Sequence, residues 1–436
     1  MRLSAVKVMV GMIFVGMLVV GAFPAMGADK VETLRFWMGG STKEAIKMAE
    51  QQIAEFSRIH PETKVYVSAY PWDRYRMKTI QSFTIGTTPD IIWDGQQHKY
   101  QALGGITYID DYWETLPPDV REATDTDMLD ALTIDGRLYG VPFGTRTIMV
   151  FNNKDMFREA GLDAASVKVL SNDQLLEFAQ KLTVDKNGDG QIDQWGVSLI
   201  GGRLCSHYFL SVFSGMGGKV LSTLGDFIMP DYRSEIIDTL VFYKKLAEFA
   251  PGGAIGALDI TYGQNAPVFA NGDAAIMMDP SVEGYVNVTL LNPEMRDKIG
   301  YFVSPSGLHM GDSLLISTAA RENGKMDGTW ELVKYLIQPQ VEVPMVALGG
   351  YAPARSDVLN QPLVEENPGM MAALRQVAHR TMLHPSNARG GAAWTEMRPH
   401  LWDAVAFVLL NEKTPEQAAD DMLREMMAIS ARVSKK

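Results

Sequence analysis

The pattern of hydrophobic and polar positions in the first hundred residues alternates between strand-like and helix-like stretches. Residues 32–38 alternate apolar and polar side chains, which predicts a strand, and further strands are predicted at 64–69 and 91–93. Residues 46–59 repeat apolar positions at helical spacing, and a second helix is predicted at 73–83. Strand, helix, strand, helix, strand is the pattern of a parallel sheet covered by helices, so we predict an α/β fold. In such sheets ligands bind beyond the carboxyl ends of the strands.

The stretch 135–157 has the features of a connection between two parts of the chain. The Asp-Gly pair at its start suits a two-residue hairpin turn, because both central residues of such a turn need a positive φ. Pro142 cannot donate to a central ladder, so the strand pair is expected to end there. Residues 144–147, with Arg146 as their one charged side chain, then lead into an apolar run. We predict that the backbone passes here from one lobe to another.

The remainder of the chain indicates a second lobe. Amphipathic helices are predicted at 173–182, 231–249 and 263–271. An apolar strand at 274–278 is expected to return to the first lobe, and a further strand is predicted at 312–318. Later predicted helices fill out the carboxy-terminal part.

Length and charge narrow the class of protein. A chain of 436 residues exceeds what one core usually organises, so two domains are expected. Hydrophobic residues make up 46% of the chain and charged residues 21%, as in soluble globular proteins. The formal net charge of -12 leaves no basic surplus to neutralise phosphates, which argues against a nucleic-acid partner.

The amino terminus has the features of an export signal. Basic residues precede an apolar run at 8–23 and small residues at 24–28, so we predict a signal peptide over residues 1–27, cleaved after about Gly27. An uncleaved membrane anchor is the alternative, but the run is short for spanning a bilayer. The one cysteine, Cys205, excludes an internal disulfide. We therefore expect a free protein of the periplasm, held together by its core.

Six short motifs, in order along the predicted mature chain, resemble those of one protein family. They are Phe-Trp at 36–37, Gly-x-x-Pro-Asp-Ile at 86–91, Asp-Gly-x-x-Tyr-Gly-Val-Pro at 135–142, Phe-x-Asn-Gly-Asp-Ala-Ala-Ile-Met at 269–277, Gly-Gly-Tyr-x-Pro-x-Arg at 349–355 and Thr-Pro-Glu-Gln-Ala at 414–418. In this order the chain resembles the family 1 extracellular solute-binding proteins of ABC sugar importers, whose fold is that of type 2 periplasmic binding proteins. The motifs extend over nearly the whole mature chain.

The resemblance implies a two-lobed periplasmic-binding-protein fold, with a ligand cleft between the lobes and several hinge crossings. The predicted amino-terminal lobe is 28–143 plus about 275–320, and the carboxy-terminal lobe is 144–274 plus about 321–436. The resemblance also implies that the protein captures a mono- or oligosaccharide by lobe closure and delivers it to the membrane subunits of an ABC permease. We expect a monomer.

Candidate ligand contacts are aromatic, charged and small residues near predicted strand or loop ends. A sugar ring stacks its C–H faces on aromatic rings and pairs its hydroxyls with convergent polar groups. The candidates are Trp37, Gly39, Ser41, Trp72, Trp93, Asp94, Arg146, Asp279, Gly350, Tyr351, Arg355 and Trp394. The alternative is core packing for each aromatic residue, an interlobe salt bridge for each arginine and a helix cap for each aspartate.

One loop carries most of a calcium-binding pattern. Residues 185–193 match the first nine positions of an EF-hand loop, including the turn glycine at its sixth position. The predicted ligand residues are Asp185, Asn187, Asp189, Gln191 and Asp193. The twelfth position is Gly196 rather than glutamate, so the alternative is a calcium-free turn rich in Asx residues. A bound calcium is expected to be structural, and no cofactor is expected for function.

Catalytic motifs give little reason to expect an enzyme. The sequence has no Gly-x-Ser-x-Gly elbow, no His-Glu-x-x-His and no Walker loop. With 52 acidic residues, a pair of carboxylates in a cleft keeps a secreted glycoside hydrolase as the enzyme-class alternative. Another alternative keeps the fold but changes the cargo to a different polar solute, such as a polyol or a sugar phosphate.

Overall fold

The structure is a computed structural model that describes residues 31–39, 43–201, 205–279, 281–304, 307–377, 380–388 and 390–433. These residues form two main sheets, of six and four strands, with helices packed on their faces. The predicted α/β class is therefore confirmed. The predicted signal peptide and Ser41 lie outside the described residues. Among the described helices, none is both long and apolar enough to span a membrane.

The described residues form twelve strands. They are β1 (Glu32–Gly39), β2 (Thr63–Tyr70), β3 (Ile91–Asp94), β4 (Thr133–Ile134), β5 (Arg137–Leu138), β6 (Val141–Thr147), β7 (Met149–Asn153), β8 (Trp195–Ser198), β9 (Ala274–Asp279), β10 (Ile299–Phe302), β11 (Gly307–Ile316) and β12 (Arg380–Leu383).

The helices of the described part follow the same numbering in chain order. They are α1 (Lys43–Ile59), α2 (Trp72–Ile85), α3 (Gln97–Ala102), α4 (Asp110–Trp113), α5 (Pro118–Ala123), α6 (Thr126–Leu132), α7 (Lys154–Glu159), α8 (Asn172–Lys181), α9 (Cys205–Gly215), α10 (Arg233–Ala247), α11 (Gly253–Asp259), α12 (Tyr262–Ala270), α13 (Glu283–Leu291), α14 (Thr318–Glu322), α15 (Met326–Leu336), α16 (Pro339–Leu348), α17 (Pro362–Glu365), α18 (Pro368–Val377), α19 (Trp394–Leu409) and α20 (Pro415–Val433).

The six-stranded sheet organises the first lobe. Its strands run in the order β12, β11, β3, β1, β2, with β6 paired to β11. β1 is parallel to both β2 and β3, as the strand–helix–strand pattern predicts, whereas β11 is antiparallel to β3. α1 buries Ala49, Ile53 and Phe56 in the core of this lobe, because these residues recur on one helical face. Burial of each of the two large side chains stabilises the fold by about 1.5–3 kcal/mol.

The four-stranded sheet organises the second lobe. Its strands run in the order β10, β7, β9, β8, with β7 antiparallel to both neighbours and β8 parallel to β9. The helices α9, α10, α19 and α20 supply the side chains of its larger core, in which Phe209, Phe213 and Leu401 are fully buried. This packed core therefore fixes the positions of α9 and α19.

The chain passes between the two sheets at Ile148. Thr147 ends β6 and pairs with His309 of β11, whereas Met149 begins β7 and pairs with Asp279 of β9. Ile148 is fully buried and is the one residue between these strands, so the crossing is short and packed. The predicted connector at 144–147 therefore belongs to β6 and lies directly before the crossing. A second passage between the sheets runs from β10 to β11.

Several segments pack in a different lobe from the one predicted: besides β9 and α15, β10 joins the four-stranded sheet and β12 joins the six-stranded sheet. β9 was expected to return to the first lobe, but it pairs with β7 and β8 in the four-stranded sheet. α15 was assigned to the second lobe, but its Trp330 and Val333 lie in the core of the first. Connectivity is the reason: α12 brings β9 back beside β8 as a parallel crossover, whereas α15 follows shortly after β11 leaves the first sheet.

Candidate functional site

Asp94, a predicted ligand contact, ends β3 and is fully buried. Its Oδ1 accepts hydrogen bonds from Arg76 Nη2 at 3.1 Å and from the Gly95 backbone N–H at 2.7 Å. Its Oδ2 accepts a hydrogen bond from the Tyr100 hydroxyl at 2.5 Å. Both carboxylate oxygens therefore already have protein donors, and the clearest role of Asp94 is to hold the Arg76 guanidinium.

Arg146 lies on β6, opposite Met310 of β11. Its Nη2 is 3.5 Å from Oδ2 of Asp312, and the same oxygen accepts a hydrogen bond from the Tyr351 hydroxyl at 2.5 Å. Burial raises the pKa of Tyr351 well above its usual range, so this hydroxyl keeps its proton and remains a donor. The Arg146 side chain is 16% exposed, so part of it is accessible to solvent.

Trp72 connects the two arginines. The guanidinium carbons of Arg76 and Arg146 lie 5.1 and 5.5 Å from the centroid of its ring, within the range of cation–π attraction. A Cβ atom at Gly39 would come within 2.3 Å of this ring, so only glycine permits the ring to lie against β1. The group that we call the arginine cluster consists of Trp72, Arg76, Asp94, Arg146, Asp312 and Tyr351.

Two further predicted tryptophans lie in the same lobe. The Trp93 ring is 5.5 Å from that of Tyr351 and 5.0 Å from that of Phe143, so it borders the arginine cluster. Its indole Nε1 is buried without a hydrogen-bond acceptor in the described part of the chain. Trp37 instead packs edge-on against Tyr70 at 5.2 Å, within the core of the first lobe.

A second group, which we call the histidine cluster, consists of His207, His384 and Trp394. The rings of His207 and His384 are stacked with centroids 5.0 Å apart, and the Trp394 ring meets His384 edge-on at 6.0 Å. His207 lies on α9 and Trp394 on α19, and both helices pack in the hydrophobic core of the second lobe, which therefore positions this cluster.

The protonation of His384 is determined by its surroundings. Its Nδ1 accepts a hydrogen bond from the Ser386 backbone N–H at 3.2 Å, which places the proton on Nε2. Burial lowers the pKa of His384 well below its usual range, and the charges of His207 and Arg398 lower it further, followed by those of Arg146 and Arg76. The imidazole is therefore neutral.

Contacts between the lobes lie beside these clusters. The Thr395 hydroxyl at the start of α19 donates to Gln96 Oε1 at 3.2 Å, just before α3. One turn along, Lys99 Nζ of α3 is 3.6 Å from Glu396 Oε1. The two lobes therefore touch through polar side chains, which is the kind of contact that separates at low cost when lobes open.

Arg355 was predicted to contact the ligand, and in the structure its side chain is buried among protein partners. Its side chain is 3% exposed and donates to the Ile337 carbonyl at 2.6 Å and to Asp357 at 3.0 Å. Its Nη1 also lies 3.7 Å from the buried carboxylate of Glu342. The guanidinium is enclosed by these partners and lies outside both clusters.

Asp279 was also predicted as an acceptor for ligand hydroxyls. It ends β9 and is buried, and its carboxylate accepts hydrogen bonds from the Ser281 backbone N–H at 3.1 Å and from Asn265 Nδ2 at 3.4 Å. Burial raises its pKa well above the usual range, and the nearby Glu283 raises it further. The structure therefore places Asp279 inside the second lobe, where its hydrogen bonds hold the end of β9.

Gly350, another predicted ligand contact, makes the turn that positions Tyr351. Its φ of +77° lies in the left-handed region, and a Cβ atom there would come within 2.4 Å of the Glu283 backbone nitrogen. Only glycine satisfies both conditions. The turn that it makes brings Tyr351 onto Asp312 and beside Trp93.

A cavity adjoins the histidine cluster. Its volume is about 420 Å³, and Trp394 lines it together with Phe227, Pro385 and Met397. This volume falls within the range of small-molecule sites. Trp394 is the one predicted ligand contact among the residues that line it, and its indole Nε1 is buried without an acceptor in the described part of the chain.

Sequence reasoning missed four residues of the two clusters: Arg76, Asp312, His207 and His384. Arg76 had a partial signal: it lies on the helix predicted at 73–83, and because the observed helix begins at Trp72, four residues earlier, the two side chains share a face. Asp312 begins a run that was recognised only as a strand. The two histidines lie 177 positions apart, and only the packing of α9 against the end of β12 brings them together.

The predicted calcium loop connects α8 to β8, and its side-chain oxygens accept backbone N–H groups of the loop itself. Asp185 accepts from Gly188 at 2.7 Å and from Gly190 at 2.8 Å, and Asp193 accepts from the Lys186 backbone N–H at 2.7 Å. The hydrogen bond from Gly190 is the largest of the effects that lower the pKa of Asp185. Asn187 and Asp189 accept backbone N–H groups in the same way, and Gln191 is exposed. Calcium binding by this loop stays a prediction.

Fold and site together define a two-lobed protein with a polar and aromatic region between its lobes, as in proteins that enclose a small solute. The chain belongs to the bacterial extracellular solute-binding proteins: the profile of that family matches residues 51–372. This result confirms the resemblance found in the sequence motifs.

Individual proteins are similar to the chain over most of its length. A maltotriose-binding protein of Pyrococcus abyssi is 22% identical over 351 residues, which cover 78% of this chain and 70% of that protein. An sn-glycerol-3-phosphate-binding periplasmic protein of Shigella dysenteriae is 22% identical over 424 residues, which cover 90% of this chain and 91% of that protein. Among solved structures, an ABC transporter solute-binding protein of Thermotoga lettingae, bound with alpha-D-tagatose, matches with a TM-score of 0.76 and 22% identity, covering 92% of this chain and all of that one. The predicted two-lobed fold is confirmed.

Proposed function

We propose that the chain is the exported substrate-binding subunit of an ABC importer and captures a carbohydrate or polyol between its lobes. Membership of the solute-binding family supports the binding role. The named ligands of its relatives, maltotriose and sn-glycerol-3-phosphate, support a polyhydroxylated solute. The partner in this proposal is the membrane permease, and the protein acts as a monomer in the periplasm without changing its cargo chemically.

The observation that carries the proposal is a set of buried N–H groups, on both lobes, that have no acceptor among the residues that the structure describes. They are Trp93 Nε1 on the first lobe, and His384 Nε2 and Trp394 Nε1 on the second. A buried donor without a partner costs about 1–3 kcal/mol, so these positions favour a ligand with several oxygen acceptors. The aromatic rings that carry the donors also offer flat faces to the C–H groups of a sugar.

Closure of the lobes is the proposed mechanism of capture. β6 passes into β7 through Ile148 alone, and β10 passes into β11 through a short connection, so two adjacent crossings can serve as a hinge. A solute that contacts both the arginine cluster and the histidine cluster interacts best when the lobes are together, and it therefore shifts the population towards the closed form. The lobe boundaries that we propose place β9 with the second lobe and α15 with the first.

Mass spectrometry of the ligand released from natively purified protein tests the proposed cargo. We expect a sugar, a polyol or a derivative of one, in a near one-to-one ratio with protein. The chain purified from its export compartment should also begin close to residue 28. A melting screen in which peptides or amino acids bind, and no carbohydrate or polyol does, would overturn the proposal.

The glycoside hydrolase alternative needs a separate assay. The protein is incubated with maltodextrins and other oligosaccharides, and the products are separated by chromatography. We expect the oligosaccharides to be recovered unchanged, even where the melting temperature reports binding. Cleaved product that disappears with the protein would show an enzyme.

A further inference from the structure

We propose that Asn387 positions the two lobes for ligand capture, because its side chain anchors a third crossing between them to the backbone beside the arginine cluster. This inference rests on the proposed function, since the groups at the two ends of the crossing are proposed ligand contacts. It depends on three features of the crossing: where it runs, what Asn387 binds and where the segment can bend.

The chain passes between the lobes a third time after β12. β12 pairs with β11 in the six-stranded sheet, whereas α19 packs in the core of the second lobe. The described residues of this passage are 384–388 and 390–393. His384 lies at its start and Trp394 directly after its end, so two of the proposed ligand donors lie at the ends of one short segment. The position of this segment therefore determines where both donors lie.

Asn387 attaches the crossing to the first lobe through its side-chain amide. The residue is 2% exposed, and its Nδ2 donates to the Gly95 carbonyl at 2.9 Å and to the Gly311 carbonyl at 2.8 Å. Its Oδ1 accepts from the Gly311 backbone N–H at 3.4 Å, and its own carbonyl accepts from Gln97 Nε2 at 3.0 Å. Both N–H groups of the amide are therefore bonded to main-chain atoms of the first lobe, which fixes the position of the side chain.

The two carbonyl groups that Asn387 binds belong to the neighbours of the two carboxylates of the arginine cluster. Gly95 follows Asp94 at the end of β3, and Gly311 precedes Asp312 in β11. A Cβ atom at Gly95 would come within 2.4 Å of the Gly311 carbonyl oxygen and within 2.7 Å of Asn387 Nδ2. Only glycine at this position therefore lets one amide reach both carbonyls. Asn387 thus holds the crossing against the same backbone that carries Asp94 and Asp312.

Gly390 and Gly391 follow Asn387 at the place where the crossing can bend. Gly390 has a φ of +79°, in the left-handed region. A Cβ atom would come within 2.0 Å of the Gly225 carbonyl oxygen at Gly390, and within 1.7 Å of the Pro385 carbonyl oxygen at Gly391. Two adjacent glycines have no side chains that hold them to either lobe, and their φ and ψ angles vary most freely. We therefore expect α19 to turn about these glycines with the second lobe while Asn387 stays with the first.

Helix α3 contacts the crossing on both sides of the two glycines. Before them, Gln97 binds the Asn387 carbonyl, and after them the exposed Thr395 donates to Gln96 Oε1 at 3.2 Å. Opening of the lobes is expected to break the exposed contact and to keep the buried one. Without the Asn387 amide, the crossing loses its fixed end and the lobes sample more relative positions. A ligand then has to order them, which lowers its affinity.

Pulsed EPR on the full mature protein measures the anchor without any ligand. Nitroxide labels are attached at Lys47→Cys on α1 and Lys245→Cys on α10, which are exposed positions on different lobes. The natural Cys205 is fully buried, and burial raises the pKa of its thiol, so it does not react with the label. We expect the distribution of distances between the labels to be wider in Asn387→Ala than in the parent protein.

Further variants separate the hydrogen bonds of Asn387 from its volume and from general stability. Asn387→Asp keeps the shape of the side chain but has no N–H donors, so it should widen the distribution at least as much as Asn387→Ala. Asn387→Ser keeps one donor and adds no charge, so it should give an intermediate width, and it replaces the charged variant if that one does not fold. The matched control is Asn292→Ala, because Asn292 also bonds a backbone carbonyl and a backbone N–H, but within the second lobe alone. This control should keep the width of the parent.

Calorimetry then connects the anchor to ligand binding. The probes are maltotriose and glycerol 3-phosphate, each titrated into the parent and the variants. For a probe that the parent binds, Asn387→Ala should weaken the affinity about 5- to 30-fold, which is the effect of losing one or two net hydrogen bonds. Asn292→Ala should keep the affinity of the parent.

The outcomes distinguish this inference from the proposed function. A distance distribution in Asn387→Ala as narrow as that of the parent overturns the inference, and so does an unchanged affinity for a probe that the parent binds. Equal widening in Asn292→Ala also overturns it, because the effect would then be a general loss of stability. If the parent binds no sugar or polyol, the proposed function fails, and the distance measurement still decides whether Asn387 anchors the crossing.

Discussion

The buried carboxyl of Glu342 makes the stability of the first lobe depend on pH. Glu342 is on α16, fully buried, with the Arg355 guanidinium 3.7 Å away. Burial raises its pKa from 4.5 to about 8, against the opposing charge of Arg355. The perturbation that tests this is Glu342→Gln, which keeps the shape of the side chain and removes its ionisation.

The sign and size follow from the difference between the folded and unfolded pKa values. Between pH 4.5 and about 8 the folded state keeps a proton that the unfolded state has lost, so this contribution is full below pH 4.5 and declines as the pH rises to about 8. Each pH unit in this window removes about 1.4 kcal/mol from the free energy of unfolding, or about 5 kcal/mol over the whole window. Glu342→Gln should lose this slope.

Urea denaturation followed by tryptophan fluorescence at pH 5, 6, 7 and 8 measures the effect. The quantity of interest is the difference in slope between the parent and Glu342→Gln, because all other titrating groups cancel in it. Glu365→Gln, at an exposed position on α17, is the matched control and should keep the slope of the parent. Parallel pH profiles for the parent and Glu342→Gln would refute the reasoning about burial.

Two further predictions concern the Tyr351 turn and the predicted calcium loop. Gly350→Ala should lower the free energy of unfolding by about 1–3 kcal/mol and weaken ligand binding, because the new Cβ atom meets Glu283. Gly104→Ala is the control: Gly104 also has a positive φ but has open space around it, so this variant should lose less stability and keep its ligand affinity. Equal losses of melting temperature and of ligand affinity in the two variants would contradict this reasoning. Calcium should raise the melting temperature and a chelator should lower it, and Asp185→Asn should abolish both effects; a melt that ignores both additions would show a calcium-free turn.

The sequence predicted those parts of the fold that local patterns control. The alternation at 32–94 predicted the parallel β1–β2 and β1–β3 pairs. The turn prediction at Asp135 and Gly136 agrees with their φ values of 52° and 75°, which make the hairpin between β4 and β5. These features depend on residues that are close together in the sequence, and so composition and periodicity are enough to predict them.

The parts that failed depend on packing between distant segments. An apolar strand such as β9 has the same pattern in either sheet, and only its partners β7 and β8 decide where it lies. Arg355 has the sequence context of a cleft loop, but its guanidinium is held by Glu342, thirteen residues earlier, and by Asp357. Periodicity does not reveal which charged side chain is buried with a partner.

Several of the candidate ligand residues lie together in the structure, and their role as ligand contacts stays a prediction. Trp72, Trp93, Asp94, Arg146, Tyr351 and Trp394 lie in or beside the two clusters. The structure adds contacts that the sequence did not predict: Asp94 accepts hydrogen bonds from Arg76, and the guanidiniums of Arg76 and Arg146 lie near the ring of Trp72. Strand pairing between β6 and β11 creates this arrangement, because it brings Arg146 to Asp312, 166 positions later in the chain.

The central claim is that a solute between the two lobes draws them together. Small-angle scattering of the ligand-stripped protein, with and without the solute identified by mass spectrometry, tests it most directly. We expect a smaller radius of gyration at saturating solute, and a smaller change in Arg146→Gln at the same solute concentration. The same radius of gyration with and without a tightly bound solute would contradict lobe closure.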